Sequence, residues 1–383
     1  MRMVKIGIIG CGIIAQIMHL PYLTGTEGGG VPGAEVVAVC DSSKEVAEEM
    51  ARRYHIKEVY SDYKEMLAKS DIDAVFVLTP HELHAKQCID AMNAGKHVFV
   101  EKPLCVSVKD AERIIEAQKR NNVILQVGYM KRYDPAYLIA INEFKKMKDI
   151  KLIRVHNICS HHKERFEVCR IFRGAQKIIL KKEPEKTSPL KSVILPSTLP
   201  IIREEHDLQI FEQFGQVTPE EYVAYWYLIA VTSHDINALR GIFGDPKRVL
   251  RTEIWSNGSF VVSLLDYGYA KCVFEFGRTN HKWWDEEITA YSDEKNVSVI
   301  FPSPFLKNAP TIVRVIEGSE ITVETTIKDA YEEAFRRELD HFVKCIEKNE
   351  KPLTDAEDAK RDLKILSSII ENYRNKEPSE LKF

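Results

Sequence analysis

An apolar segment at residues 4–9 runs directly into a glycine-rich turn, and this junction constrains the fold more than any other part of the chain. Gly10 permits a tight turn, Gly12 lets a ligand approach the backbone, and Ala15 permits close packing of the following helix on the strand. The N–H groups at the start of that helix, together with its dipole, favour phosphate groups. The pattern therefore predicts a dinucleotide-binding turn rather than a glycine turn without a ligand.

Asp41 follows a second apolar segment, at residues 35–40, where a carboxylate can hydrogen-bond the 2′-hydroxyl of the adenosine ribose. The interval from the glycines is longer than usual, and the glycine-rich loop at 25–33 accounts for the excess. A carboxylate also repels a 2′-phosphate, so we expect NAD rather than NADP, although the nearby Lys44 leaves NADP open. The alternative is that Asp41 only caps the next helix. The cofactor contacts predicted in this part of the chain are Gly10, Gly12, Ile13, Ile14 and Asp41.

Strand and helix patterns alternate through the first third of the chain. The predicted strands are 4–9, 35–40, 74–78, 97–100 and 124–127, and the predicted helices are 13–23, 43–53, 82–93 and 108–121. Nearly continuous apolar strands are typical of a parallel sheet that helices cover on both faces. We therefore predict an α/β fold whose residues 1–126 form a doubly wound dinucleotide-binding domain.

Beyond this domain the predicted strands are joined by turns, which favours a mainly antiparallel sheet. The predicted strands are 151–159, 249–255, 260–266, 270–276, 287–291 and 297–300, and the predicted helices are 220–243, 327–348 and 356–372. Thr354 is the predicted N-cap of the last helix. The proline-rich, charged stretch 161–218 has the character of a long, partly irregular insertion. We place the second domain at 127–355 and a C-terminal helix and tail at 356–383.

The turn Thr79-Pro80 follows the strand predicted at 74–78 and begins a helix that carries His84. Ligands of doubly wound sheets bind beyond the carboxyl ends of the strands, so this turn should border the cofactor. An ordinary helix start is the alternative. We expect at least one of Thr79, Pro80 and His84 to contact the cofactor.

Lys102 follows the strand predicted at 97–100, again at a carboxyl end. Pro103 restricts the backbone there, and Glu101 supplies a nearby counter-charge. A lysine that is partly desolvated beside a nicotinamide can exchange protons near neutral pH, because burial lowers its pKa. A solvated surface charge is the alternative, but the position favours contact of Glu101 and Lys102 with the cofactor and a catalytic role for Lys102.

Candidate substrate contacts follow the domain junction, where clefts commonly form. Arg132 can hydrogen-bond a polyol or a carboxylate, and Tyr133 can pack on a sugar ring; a hinge braced by Arg132 and Asp134 is nearly as well supported. Histidine side chains in general titrate near neutral pH, so His234, on the helix predicted at 220–243, is a candidate to carry a hydroxyl proton. A lone helical histidine is more often structural.

Composition excludes several classes of partner. The chain has 383 residues, and 54 Lys and Arg against 57 Asp and Glu give a net charge of −3, which argues against nucleic acid and against a polybasic membrane surface. No apolar run approaches the ~20 residues of a membrane span. The eight cysteines show neither a Cys-x-x-Cys pair nor spacing typical of a metal site. We expect a cytoplasmic protein with reduced thiols and a small-molecule substrate.

Together these motifs resemble the glucose–fructose oxidoreductase, inositol dehydrogenase and rhizopine-catabolism family (Gfo/Idh/MocA). The matching residues are Gly10-Cys11-Gly12-Ile13-Ile14-Ala15, Asp41, Thr79-Pro80 with His84, Gly95 to Leu104 with its Glu101-Lys102-Pro103, Gly128 to Asp134, His234-Asp235 and Asp355 to Ala359. The resemblance implies a Rossmann domain, a second α/β domain with an open, mainly antiparallel sheet, and association through that sheet as a homodimer or homotetramer. It also implies hydride exchange between NAD(P) and a hydroxyl-bearing carbon of a sugar or cyclitol. In such a protein Lys102 would orient the substrate and assist proton transfer, His234 would be the general acid and base, and Arg132 and Tyr133 would lie near the substrate.

One position departs from the family pattern. Many of these dehydrogenases carry an aspartate four residues before the histidine, one helical turn away, and this chain has Ala230. An alanine can neither relay a proton nor hold a hydroxyl group. Tyr227 is near the same helical face and could compensate, as could Asp207 or the Glu204-Glu205 pair, or Lys102 and His234 could suffice; the sequence leaves these three open.

The leading hypothesis is an NAD(P)-dependent dehydrogenase of a sugar, inositol or related polyol. A second is an enzyme that retains NAD during glycoside cleavage or epimerisation. A third, motivated by Ala230, is an NAD-binding protein without catalytic activity.

Overall fold

The computed structural model describes residues 3–26, 29–160, 172, 200–281, 283–328 and 333–383. By its internal contacts the chain divides into two compact units. The first comprises Met1–Gly128, Glu167–Gln216 and Phe335–Lys360, and the second comprises Tyr129–Phe166, Val217–Ala334 and Arg361–Phe383. The predicted boundary at 355/356 thus coincides with no edge of either unit.

The first unit is built on a sheet of six strands among the described residues. These strands are Val4–Ile9 (β1), Ala34–Cys40 (β2), Glu58–Tyr60 (β3), Ala74–Val77 (β4), His97–Glu101 (β5) and Leu125–Gly128 (β6). Their order is β3-β2-β1-β4-β5-β6, and each neighbouring pair is parallel. The centre is apolar on both faces, since all four residues of β4 are buried. This order is that of the doubly wound dinucleotide-binding fold, so the predicted fold class of this unit is confirmed.

Helices connect the strands of this unit. They are 13–23 (α1, which contains the π turn Ala15–His19), Lys44–Tyr54 (α2), Tyr63–Lys69 (α3), His81–Asn93 (α4) and Val108–Asn121 (α5). Ser107 caps α5 by accepting the N–H of Asp110. The short elements β3 and α3 were not predicted.

Two later segments also belong to the first unit. Residues 161–171 and 173–199 of the predicted insertion lie outside the described residues. The end of this insertion, which was predicted to be partly irregular, forms a helix, Pro200–Phe214 (α7). Gln209 of α7 donates to the backbone carbonyl of Glu82, which lies on α4. The helix Ala334–Lys348 (α10) places Phe342 against the rings of Phe76 and Phe99, at centroid distances of 5.5 and 5.7 Å.

The second unit contains a sheet of nine strands in the part of the chain that the structure describes. They are Leu152–Ser160 (β7), Arg248–Trp255 (β8), Phe260–Asp266 (β9), Lys271–Thr279 (β10), Trp284–Tyr291 (β11), Lys295–Ile300 (β12), Ile312–Glu317 (β13), Val323–Lys328 (β14) and Ser379–Glu380 (β15). The order is β14-β13-β12-β11-β7-β10-β9-β8-β15, and β7 with β10 is the parallel pair. The predicted mainly antiparallel sheet is confirmed.

One long helical stretch of this unit lies where the sequence predicted it, at 220–243. It consists of Pro219–Tyr227 (α8), a π turn at Leu228–Thr232, and Ser233–Phe243 (α9). Thr218 and Glu221 form a capping box at its start. The unit also contains Pro135–Lys145 (α6), and the helix Ala356–Asn375 (α11) begins in the first unit and ends in the second.

Two local predictions are wrong. The helix predicted from residue 327 begins at Ala334, because Ile327 and Lys328 end the strand β14, which pairs with β13. Thr354 does not cap α11: its hydroxyl donates to the carbonyl of Val127, and Asp355 instead accepts the N–H of Asp358.

Candidate functional site

The glycine turn after β1 has the geometry of a phosphate cradle. Gly10 has a φ of +95°, and a Cβ there would lie 2.7 Å from the carbonyl oxygen of Leu78, so a larger residue is excluded. A Cβ on Gly12 would meet nothing within 4 Å, because this residue faces open space. The first N–H groups of a helix have no acceptor within it. The residues present therefore fit the pyrophosphate of a dinucleotide.

Asp41 holds this turn in place. Its Oδ2 atom accepts the N–H of Cys11 at 2.8 Å, and its Oδ1 atom accepts the N–H of Ser43 at 2.8 Å. The side chain is half-buried at the end of β2, so a ribose can still approach it. The structure thus gives Asp41 a local structural role, and contact of Asp41 with the ribose stays a prediction.

Helix α1 begins beside the turn, with Ile13 and Ile14 half-buried. The side chain of Gln16 donates to the carbonyl of Cys11 at 2.9 Å. The same side chain makes two hydrogen bonds of 2.8 Å with the backbone of Phe172, which therefore lies against this helix. No sequence pattern indicated this contact.

His84 lies beneath the turn that follows β4. Its ring is fully buried, with Nε2 at 2.8 Å from the carbonyl oxygen of Thr79 and Nδ1 at 2.8 Å from that of Pro103. Burial lowers the pKa of His84, and the two carbonyls oppose that shift. His84 therefore connects the ends of β4 and β5, whereas Pro80 is exposed and the hydroxyl of Thr79 donates to Gln87.

Glu101, the last residue of β5, is directed into the first unit. Its Oε1 atom lies 2.7 Å from Nε2 of the fully buried His19, and its Oε2 atom accepts the N–H of Lys102 at 3.1 Å. The sequence predicted Glu101 as a cofactor contact and missed His19. The Lys102 side chain is half-buried, and the Lys102–Pro103 peptide bond is cis.

Three predicted groups of the first unit meet at one sheet edge. Gly10, Thr79 and Lys102 lie just beyond the carboxyl ends of β1, β4 and β5, which are consecutive strands of the sheet. This edge is where doubly wound sheets bind their ligands.

In the second unit, His234 lies in the first turn of α9. It is half-buried, and its ring lies edge-on to Tyr129 at a centroid distance of 5.9 Å. Its neighbour Asp235 is fully buried and accepts hydrogen bonds from Lys131 at 2.7 Å and from Asn157 of β7 at 2.9 Å. Asp235 therefore fixes the start of α9 on the sheet.

A buried charge cluster surrounds Asp235, and the sequence did not predict it. Lys131 donates to both Asp235 and Glu286, and the Nε1–H group of Trp284 donates to Glu286. Burial opposes the charge of Lys131, but the two carboxylates outweigh it and raise its pKa. Burial, followed by the nearby Asp235, raises the pKa of Glu286 well above its usual value.

Arg132 and Tyr133 form part of the short helical turn Met130–Tyr133 of the same unit. Arg132 donates to the side chain of Asn237 on α9, at 3.2 Å, and Tyr133 is buried. Asp134 caps α6 by accepting the N–H of Tyr137. Contact of Arg132 and Tyr133 with substrate stays a prediction.

Ala230 lies within the π turn Leu228–Thr232. A π turn inserts about one extra residue, which shifts the helical face expected from an α-helical spacing. Tyr227 packs against Phe276 and under the guanidinium of Arg278. Asp207 is half-buried on α7 in the first unit, Glu205 is exposed there, and the side chain of Glu204 is outside the described part.

Comparison with known proteins agrees with this geometry. Residues 4–129 match the GFO_IDH_MocA family, described as an oxidoreductase family with an NAD-binding Rossmann fold. This segment of the chain therefore resembles the Gfo/Idh/MocA family. Among curated relatives, inositol 2-dehydrogenase of Salmonella typhimurium is 40% identical over 136 residues, which are 35% of this chain and 39% of the relative. The scyllo-inositol 2-dehydrogenase (NAD(+)) of Bacillus subtilis is 44% identical over 107 residues, 28% of this chain and 31% of the relative. The matched segment thus spans less than half of the length of these Gfo/Idh/MocA relatives.

Solved structures extend the likeness in fold to the whole chain. Aldose-aldose oxidoreductase from Caulobacter crescentus has a TM-score of 0.73 at 17% identity and covers 99% of this chain and 100% of its own. Scyllo-inositol dehydrogenase from Lactobacillus casei, solved with NAD(H) and scyllo-inositol, has a TM-score of 0.67 at 20% identity and covers 99% of both chains. These TM-scores establish the fold of the chain. The match of residues 4–129 confirms the predicted resemblance and the predicted class of cofactor.

In the described ranges no helix is long and apolar enough to cross a membrane. Within the same ranges no group of three His, Cys, Asp or Glu side chains is arranged to hold a metal ion.

Proposed function

We propose that this protein is an NAD(P)-dependent dehydrogenase that acts on a CH–OH group of a sugar, inositol or related polyol. The observation that carries the proposal is the placement of Lys102 at the same sheet edge as the Gly10–Gly12 cradle, in a segment similar to inositol 2-dehydrogenases. A lysine at this edge can reach the reacting end of a dinucleotide whose phosphates lie on α1.

The chain's residues divide the task of holding the cofactor. Gly10, Gly12 and the first turn of α1, with Ile13 and Ile14, would hold the pyrophosphate, and Asp41 would hold the ribose. Thr79 and Pro80 would border the cofactor, supported by His84. When bound, the nicotinamide supplies hydride exchange with the hydroxyl-bearing carbon.

Proton transfer belongs to two residues in this proposal. Lys102 would hydrogen-bond the reacting hydroxyl group at its Nζ atom, and His234 would take up and return the proton at its imidazole. Arg132 and Tyr133 would contact the rest of the substrate. Since Ala230 cannot take part, we assign the acid–base roles to Lys102 and His234, and the packing of Tyr227 against Phe276 supports this assignment.

The proposal extends to quaternary structure and to cellular location. We propose a homodimer or homotetramer formed through the sheet of the second unit. The seven cysteines among the described residues are free and buried, which supports a reducing, cytoplasmic location.

A substrate screen tests the function. Sugars, cyclitols and sugar acids are offered with NAD and with NADP while the absorbance of the reduced cofactor is followed. We expect Lys102→Met to lower kcat at least about a hundredfold and to leave the Kd for NAD near that of the wild type. The control, Lys109→Met, removes an exposed lysine paired with Glu212 and should leave both constants unchanged.

Each alternative outcome has its own signature. Unchanged turnover in Lys102→Met contradicts the catalytic role. Binding of NAD without turnover over the whole panel favours a protein without catalytic activity, the candidate that Ala230 motivates. Tightly retained NAD with no turnover of added NAD favours a glycosidase or epimerase.

A further inference from the structure

Arg278 is a buried cation without a carboxylate partner among the residues that the structure describes. It lies near the end of β10 and is 7% exposed. Its Nη1 atom donates to the Sγ atom of Cys159 at 3.2 Å, and its guanidinium lies 5.2 Å from the ring centroid of Tyr227. Its Nε atom has no acceptor within the described ranges.

A second buried arginine of the same unit is paired with carboxylates, as buried cations usually are. Arg240 is 6% exposed and donates to Asp245 at 2.7 Å and to Asp362 at 2.5 Å. An isolated buried charge is strongly unfavourable, because it loses hydration without an opposite charge to replace it. A thiol and an aromatic face supply little of that compensation to Arg278.

The sheet register places Arg278 near the start of α9. Arg278 is paired with Cys159 of β7, and the row two residues earlier pairs Phe276 with Asn157. Side chains two residues apart on a strand share a face and lie about 7 Å apart. Asn157 donates to Asp235, so Arg278 lies one row from the side chain that anchors the helix of His234.

The carboxylates of that neighbouring row are already engaged. Asp235 and Glu286 both accept from Lys131, and Asn157 donates to both as well. The aromatic rings of Tyr227 and Phe276, with a centroid distance of 5.5 Å, form an apolar wall beside the guanidinium. A planar guanidinium in such surroundings matches an oxyanion with two acceptor oxygens.

We propose that Arg278 binds an oxyanion of the substrate, so that the preferred substrate is an acidic sugar derivative rather than a neutral polyol. The inference rests on the proposed function for the reacting hydroxyl group, and it adds the group that selects the substrate. Carboxylate and phosphate share the required geometry, and separate arms of the experiment distinguish them.

The deciding measurement is thermal unfolding of the full chain with simple anions. Wild type, Arg278→Met and Arg278→Lys are compared in chloride, acetate, D-glucuronate and inorganic phosphate at constant ionic strength. Arg251→Met, which removes an exposed arginine paired with Glu253, is the matched control. We expect a saturable rise of Tm with carboxylates or with phosphate in wild type and in Arg251→Met, its loss in Arg278→Met, and a weaker rise in Arg278→Lys.

Stability in chloride, without an added oxyanion, provides a second readout. Removal of a buried charge that has no carboxylate partner among the described residues should leave the Tm of Arg278→Met in chloride equal to or above that of wild type. A Tm several degrees lower in both Arg278 variants would show a structural role and overturn the proposal. Equal anion responses in wild type and Arg278→Met would overturn it as well.

Turnover separates this inference from the proposed function. For an acidic substrate, Arg278→Met should lower kcat/KM about a hundredfold, chiefly through KM, and leave neutral polyols unaffected. Turnover of neutral polyols alone, unchanged in Arg278→Met, overturns the inference and leaves the proposed function intact. Anion binding that depends on Arg278, without turnover of any substrate, supports the inference and contradicts the proposed function.

Discussion

The Nε2 atom of His19 lies 2.7 Å from the Oε1 atom of Glu101, inside the first unit. The His19 ring is fully buried, and it meets the rings of Phe76, Phe99 and Phe335 edge-on. Glu101 is the residue before Lys102, so this contact with a buried side chain holds the end of β5 in place.

Replacement of His19 tests this support. His19→Phe keeps the aromatic packing and removes the partner of a buried carboxylate, so we expect a loss of about 1–3 kcal/mol in the free energy of unfolding. His19→Gln retains a donor and should lose less. Urea denaturation measures both variants, and equal stability of His19→Phe and wild type would contradict the role of this hydrogen bond.

Asp41 is expected to act in both folding and cofactor choice. Asp41→Ala removes the acceptor of the Cys11 and Ser43 N–H groups and the charge that repels a 2′-phosphate. We expect weaker NAD binding, a smaller preference of NAD over NADP and a modestly lower Tm. Titration calorimetry with both cofactors measures the preference, with Lys44→Ala as the companion variant for the opposite charge. A wild type that already prefers NADP would show that the role assigned to Asp41 is wrong.

Glu338 should make stability depend on pH. Its carboxyl is fully buried on α10, and neither oxygen has a hydrogen-bond partner among the described residues. Burial raises its pKa well above the usual value, and the Glu101 carboxylate adds to the shift. The unfolded chain therefore releases this proton at a lower pH than the folded chain, so the contribution of Glu338 to stability falls as pH rises above about 4.3.

Glu338→Gln removes this titration, and its advantage over wild type should grow from pH 4 to pH 8. Thermal unfolding across this range measures the difference, and Glu347→Gln, at an exposed position of the same helix, is the control. A difference between Glu338→Gln and wild type that is constant with pH would contradict the buried, protonated carboxyl.

In the buried charge cluster around Asp235, we expect the effects of replacing Lys131 and Glu286 on stability to be strongly coupled. Lys131→Met leaves Asp235 and Glu286 buried without their cation, so we expect a loss of about 3–5 kcal/mol. Glu286→Gln in the Lys131→Met background removes one of the two carboxylates and should restore part of that stability. A double-mutant cycle in urea measures the coupling. Additive effects of the two substitutions on the free energy of unfolding would contradict an energetic coupling between Lys131 and Glu286.

Local sequence patterns predicted many regular elements of both units closely, but they missed others, among them α6 and β13. The strand at 4–9 and the helix at 108–121 have the predicted bounds, because local hydrophobic patterns identify them without tertiary information. The prediction of a helix that begins at residue 327 was wrong at its start. The β-branched residues Thr325 and Thr326 favour a strand there, but it is the pairing of β14 with β13 that makes this segment a strand.

The sequence by itself determined the cofactor-binding turn, because the backbone of Gly10 and Gly12 and the adjoining strand and helix are local properties of consecutive residues. Only the tertiary structure decided which buried polar groups meet. Lys131 is separated from Asp235 by 104 positions and from Glu286 by 155, and Arg278 from Cys159 by 119. Such contacts depend on sheet register, and a shift of one residue would turn each strand side chain to the opposite face.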